Sequence, residues 1–135
     1  MTTNIREISL PIFENSNGKL LPIEFFSAVP FEVMRTYFIW AVPLGTKRGG
    51  HAHTKEKEVF ICLRGRCNLY FSTDGKKTQK IPLQNPQKAI FVDNLVWHEF
   101  SDFSPDALLL AFSSTKYLPE NYISSFDDFA KIIQK

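Results

Sequence analysis

His51 and His53 lie one residue apart in the run Gly45-Thr46-Lys47-Arg48-Gly49-Gly50-His51-Ala52-His53, with Glu58 and Gly65 following. In an extended backbone alternate side chains point to one face, so both imidazoles would share it. Two kinds of chemistry suit such a pair. Neutral ring nitrogens ligate metal ions. An imidazole also takes and returns protons near neutral pH without a large shift in its pKa. Spacing alone leaves both open.

Arginines are near enough to serve the same site. Arg48 precedes His51 by three residues, and Arg35 precedes Tyr37 by two. The planar guanidinium matches phosphate oxygens, so Arg35 and Arg48 are candidates for an anionic ligand. Tyr37 shares a face with Arg35 by strand parity and could present its hydroxyl to a ligand. Trp97 and His98 are adjacent, so only one of them can face the interior. We expect His98 inside, with Trp97 packed between the sheet layer and a helix.

The elements that must hold these residues read as short strands. Ile5 to Phe13 is extended, and Asn15-Ser16-Asn17-Gly18 is a turn. Strands are expected at 20–25, 34–43, 58–63, 67–71, 81–83, 89–92, 96–100 and 107–112. The polar, glycine-rich stretch 45–54 reads as a loop. Eight or nine short strands separated by turns predict an all-β antiparallel sandwich or barrel. Near the end the period changes to helical, with Ile123, Phe126, Phe129, Ile132 and Ile133 in phase. Ser125 is placed to cap a helix over 126–134, with Asp127 and Asp128 in its first turn.

Composition narrows the class. The chain has 135 residues, enough for one domain over 1–135 with its own core. At 44% hydrophobic it is too apolar to be disordered. A net charge of +2 is too mild to argue for nucleic acid. There is no secretory leader pattern and no apolar run of the roughly 18 residues a membrane helix needs. With two cysteines, Cys62 and Cys67, read as reduced strand residues, the expected location is cytoplasmic.

The landmarks Gly45, His51, His53, Glu58 and Gly65 resemble the first conserved motif of the cupin superfamily. His98 stands where the histidine of the second motif would be, although the usual Pro-x-Gly before it is replaced around Asp93-Asn94. The resemblance implies a cupin, jelly-roll-like antiparallel β-barrel with a short C-terminal helix, in line with the strand pattern.

A narrower resemblance covers nearly the whole chain. Arg35-x-Tyr37, Arg48-Gly49-x-His51-Ala52-His53, Val96-Trp97-His98-Glu99, Asn121-Tyr122-Ile123 and Asp127-x-Phe129 are similar to the nucleotide-sugar 3,4-ketoisomerases. That family acts on dTDP-4-keto-6-deoxyglucose and supplies 3-keto sugars for later transamination. It implies catalysis without a metal or other cofactor, and a homodimer with an exchanged N-terminal strand. It also implies that one histidine of the pair is the base. We assign that role to His51, with His53 moving protons at the hydroxyls or stabilising an enediolate. Arg35, Tyr37, Arg48 and His98 are assigned to substrate binding, and Glu58 to holding a histidine tautomer. Gly50 departs from the more usual Phe before the first histidine, which bears on product stereochemistry.

Other readings are compatible with the same residues. In a metal-dependent cupin, a dioxygenase or an isomerase, His51, His53, Glu58 and His98 would ligate iron, manganese or zinc. A nucleotide-sugar 3,5-epimerase would use a His–Asp pair and a tyrosine acid. A non-catalytic sugar- or nucleotide-binding barrel would use the pocket without turnover.

Overall fold

The computed structural model describes residues 4–135. Twelve strands, a 3-10 turn and one helix follow in order: β1 (Ile5–Ser9), β2 (Phe13–Asn15), β3 (Gly18–Leu20), β4 (Arg35–Trp40), β5 (Arg48–His53), β6 (Glu58–Arg64), β7 (Cys67–Ser72), β8 (Gln79–Leu83), β9 (Lys88–Val92), β10 (Trp97–Ser101), β11 (Leu108–Ser113), the turn Pro119–Asn121, β12 (Tyr122–Ile123) and α1 (Phe126–Ile133). Ten of the strands make two five-stranded sheets, β1-β9-β6-β11-β4 and β12-β5-β10-β7-β8, while β2 and β3 pair only with each other. Every strand pairing is antiparallel. The result is jelly-roll-like, and the sheets do not close into the barrel that the sequence suggested.

The main core lies between the sheets. Phe60, Ile90, Val92 and Leu109 come from the first, and Leu69, Phe71, Leu83 and Phe100 from the second. Strand β6 is buried on both faces. Its Phe60 and Cys62 face the second sheet, while Val59 and Ile61 meet a separate cluster containing Leu10, Val29, Leu21, Ile23 and Phe31 from the N-terminal segment. That explains why β6 is an apolar run rather than an alternation.

The outer side of the second sheet is covered by α1. Phe129 is fully buried there with Ala52 and Ile123, and Trp97 lies edge-on to Phe126 at 5.4 Å between ring centroids. The Ser125 hydroxyl accepts a hydrogen bond from the Asp128 amide, as the cap pattern predicted. Gly75 lies where a turn meets this helix: its φ is +70°, and a Cβ there would stand 2.8 Å from the Ala130 Cα.

Two expectations change. Residues 45–54 are not all loop, because Arg48–His53 forms β5, paired to β10. The composition concealed this because Gly49 and Gly50 have φ of +83° and +81°, and the register shifts between His98 and Glu99. The glycines mark a bulge, not the absence of a strand. Conversely, 20–25 is not a strand beyond Leu20. Leu21 and Ile23 pack against the first sheet without joining a ladder, and Pro22 between them has no N–H to donate.

Candidate active site

A cavity of about 330 Å³ opens where the edge of the first sheet faces the second. Strand β4 supplies Arg35, Tyr37 and Ile39 to its wall, β5 supplies Arg48, Gly49 and His51, and β10 supplies His98 and Phe100. Tyr117 and Tyr122 complete it. Alternation along β4 brings Arg35, Tyr37 and Ile39 inward and leaves Thr36, Phe38 and Trp40 exposed.

His51 is the histidine at the wall. Its ring lies edge-on to His53 at 4.7 Å and to His98 at 4.9 Å between centroids, and tilted against Tyr122 at 4.7 Å. His53 points to the same side of β5, as spacing predicted, but sits deeper, 2% exposed and away from the cavity wall. His98 is buried to the same degree, and pairs with His51 directly across the β5–β10 ladder. Trp97 faces the helix, so the parity argument for these neighbours holds.

Behind the histidines is a buried carboxylate. Glu58, 1% exposed, accepts a hydrogen bond from His53 Nε2 at 3.0 Å and lies 3.5 Å from His98 Nε2. The Tyr37 hydroxyl donates to its other oxygen. Burial opposes the charge on Glu58, but the bonds from His53 and His98 outweigh it and hold the carboxyl well below its usual range. A carboxylate accepts only, so His53 must carry a proton on Nε2. His98 Nδ1 lies 3.0 Å from the Val96 carbonyl and donates to it. Burial, then the charge and hydrogen bond of Glu58, raise the Tyr37 pKa well above the ordinary phenol, so Tyr37 stays protonated. Burial, then the neighbouring His98 and His53, lower the His51 pKa from 6.5 to about 3. His51 is therefore neutral at physiological pH, with a lone pair free for a proton.

Arg35 is fixed on the opposite wall by a 3.0 Å ion pair to Glu56 and a bond to the Thr115 carbonyl at 3.2 Å, and its guanidinium lies over the Tyr37 and Tyr117 rings. Arg48 is exposed at the mouth and makes no ion pair among the described residues. The structure thus brings five of the six expected residues to one cavity and sets His53 behind it. Sequence reasoning missed Glu56 and Tyr117, and noted Tyr122 only as part of a motif. Glu56 stands in a charged stretch, Lys55-Glu56-Lys57, that reads as solvated.

The four groups His51, His53, Glu58 and His98 place ligating atoms within 4.8 Å of one another. Three imidazoles and a carboxylate fit a divalent transition metal in donor type. In this arrangement the Glu58 oxygens accept from His53 and Tyr37.

The family model described as FdtA: WxcM-like, C-terminal matches residues 3–134. The TDP-4-oxo-6-deoxy-alpha-D-glucose-3,4-oxoisomerase of Aneurinibacillus thermoaerophilus is 37% identical over 121 residues, covering 90% of this chain and 86% of that protein. The chain belongs to the sugar 3,4-ketoisomerase family. An asparagine-for-histidine mutant of the 3,4-ketoisomerase QdtA from Thermoanaerobacterium thermosaccharolyticum, in complex with TDP-4-keto-6-deoxyglucose, superposes with a TM-score of 0.94 at 29% identity, covering 99% of this chain and 96% of that one. The TDP-quinovose 3,4-ketoisomerase WlaRB from Campylobacter jejuni gives 0.89 at 32% identity, covering 96% and 99%. Two sugar epimerases share the fold at 18% and 15% identity, with TM-scores of 0.75 and 0.74, which is a likeness of fold alone. The family and the cavity chemistry favour ketoisomerisation over 3,5-epimerisation.

Proposed function

We propose that this chain moves the keto group of a TDP-linked 4-keto-6-deoxyhexose from C4 to C3, with His51 as the base. One observation carries the reading: in a member of the ketoisomerase family, a neutral histidine stands at the wall of a cavity with guanidinium groups on its rim. The C3 hydrogen is acidic because it adjoins the C4 ketone. His51 takes that proton, the C3–H bond breaks, and an enediolate forms. A proton exchanged with solvent is then delivered to C4, O4 gains a hydroxyl proton and O3 loses one. The shift is redox-neutral and needs no external electron acceptor.

The remaining groups bind and orient. Arg35 and Arg48 neutralise the diphosphate. His98 and Tyr37 line the cavity where the sugar would sit, and the Tyr37 oxygen, whose proton goes to Glu58, is left to accept from a sugar hydroxyl. His53 acts from behind, held by Glu58, and keeps the His51 ring in place. A metal bound by His51, His53, Glu58 and His98 would supply Lewis-acid stabilisation of the same enediolate.

We further propose a homodimer with an exchanged N-terminal strand. In this structure β1 pairs with β9 of its own chain, so exchange would replace that pairing with the equivalent one from a second copy. Supporting the proposal, β2 and β3 join neither main sheet and expose Phe13 and Leu20. Light scattering gives the mass in solution. Free Cys62 and Cys67 accord with a cytoplasmic setting. No helix among the described residues is long and apolar enough to cross a membrane.

Incubation with TDP-4-keto-6-deoxyglucose, followed by NMR of the product, tests substrate, reaction and C4 configuration together. A 3-keto product with solvent deuterium at C4 is expected. Substrate recovered unchanged, with no deuterium, overturns the reading.

A further inference from the structure

Glu56 is one of the most deeply buried charged residues of the chain, yet it lies outside the set that the reaction employs. Its side chain has no exposed surface. Its Oε2 receives Arg35 Nη2 at 3.0 Å, and its Oε1 receives the Thr115 hydroxyl at 2.9 Å. The same Oε1 lies 3.7 Å from His53 Nδ1, the buried side-chain nitrogen left without a hydrogen-bond partner among the described residues. Glu56 therefore faces two otherwise separate parts of the site, the guanidinium on the cavity wall and the histidine beneath His51.

A buried carboxylate is costly to desolvate, and losing it would leave Arg35 buried on that side without its counter-charge. Arg35 is only one-fifth exposed, so its position depends on this partner more than on solvent. We propose that Glu56 is a positioning residue, which sets the Arg35 guanidinium toward the substrate anion. The inference rests on reading the cavity as a TDP-sugar site.

Glu56→Gln keeps the volume and the acceptor for Thr115 but removes the charge and turns an amide toward Arg35. The affinity for TDP, measured by calorimetry, should fall about tenfold or more, as for loss of a charged hydrogen bond. KM should rise through Arg35 while kcat stays within about twofold of wild type, a split that a purely structural role would not produce. Lower thermal stability with TDP affinity and KM both within about twofold of wild type overturns the proposal. If Glu56→Gln does not fold, Thr115→Val leaves the charge in place and removes one donor. It should weaken TDP binding about threefold, and unchanged binding counts against the proposal. The Arg35 guanidinium N–H resonances give a readout without ligand. They should be sharp in wild type and exchange-broadened in Glu56→Gln, whereas equal sharpness overturns the positioning role. If wild type fails to bind TDP, the functional reading falls while this last comparison still decides the role of Glu56.

Discussion

The Tyr37 hydroxyl donates to Glu58, the same carboxylate that receives His53 Nε2. Tyr37 is on β4 and Glu58 on β6, two strands separated by β11 in one sheet. The bond therefore ties the cavity wall to the carboxylate behind the histidines.

Tyr37→Phe should destabilise the protein by about 1–2 kcal/mol, because a buried charged acceptor loses its donor while the ring remains to fill the space. Urea unfolding of the two proteins measures it. A difference near zero would mean that water replaces the hydroxyl at Glu58.

His51→Asn should abolish turnover while leaving TDP affinity near that of wild type. His51 lines the same cavity as Arg35 and Arg48 but carries no charge for the diphosphate to meet. Calorimetry with TDP and NMR of the reaction mixture separate the two. Full activity in His51→Asn would remove it as the base.

The lowered pKa of His51 has a pH signature. The folded value is about 3 and the unfolded value is 6.5, so in between the unfolded chain binds a proton that the folded chain does not. This group therefore costs the native state stability as pH falls from 6.5 toward about 3, and has no effect above that window. The loss of stability on acidification should be steeper in wild type than in His51→Asn. Denaturation midpoints at a series of pH values give both slopes, and parallel slopes would count against a buried, neutral His51.

Purified protein should contain far less than one equivalent of iron, manganese or zinc, and turnover should survive chelation. Elemental analysis beside the NMR assay decides between this and a metal at His51, His53, Glu58 and His98. Stoichiometric metal whose removal stops the reaction would overturn the metal-free reading and assign those four side chains as its ligands.

Gly75→Ala should destabilise by about 1–3 kcal/mol, because the new methyl meets the Ala130 backbone at 2.8 Å and the positive φ is strained for any side chain. Thermal melting reports it. Activity per folded molecule should be unchanged, since α1 packs on the side of the sheet away from the cavity.

Much of the site was legible because alternation is a local rule. Parity along β4 placed Arg35 and Tyr37 on one face, and parity along β10 put Trp97 and His98 on opposite faces, with the bulk of the indole deciding that Trp97 meets the helix. Parity also placed His51 and His53 on one side of β5. It could not tell which reaches the cavity, because depth depends on β12 and Tyr122 packing over them. The strand β5 itself was hidden by Gly49 and Gly50, whose composition suggests a loop while their bulge serves a ladder. Glu56 was illegible for a related reason. Between two lysines an acid reads as solvated, and only the return of β4 and the Thr115 segment encloses it.

Strand β6, enclosed by packed side chains on both faces, begins at Glu58, immediately after the Glu56 segment. The carboxylate behind the histidines is therefore attached to the part of the sheet that should open last in native-state hydrogen exchange. On another side of the cavity Tyr117 is exposed, on a segment between β11 and the 3-10 turn that belongs to neither main sheet. The pocket is mechanically lopsided. The carboxylate that anchors His53 is held by the least yielding strand, while Tyr117 stands on a segment that no ladder holds.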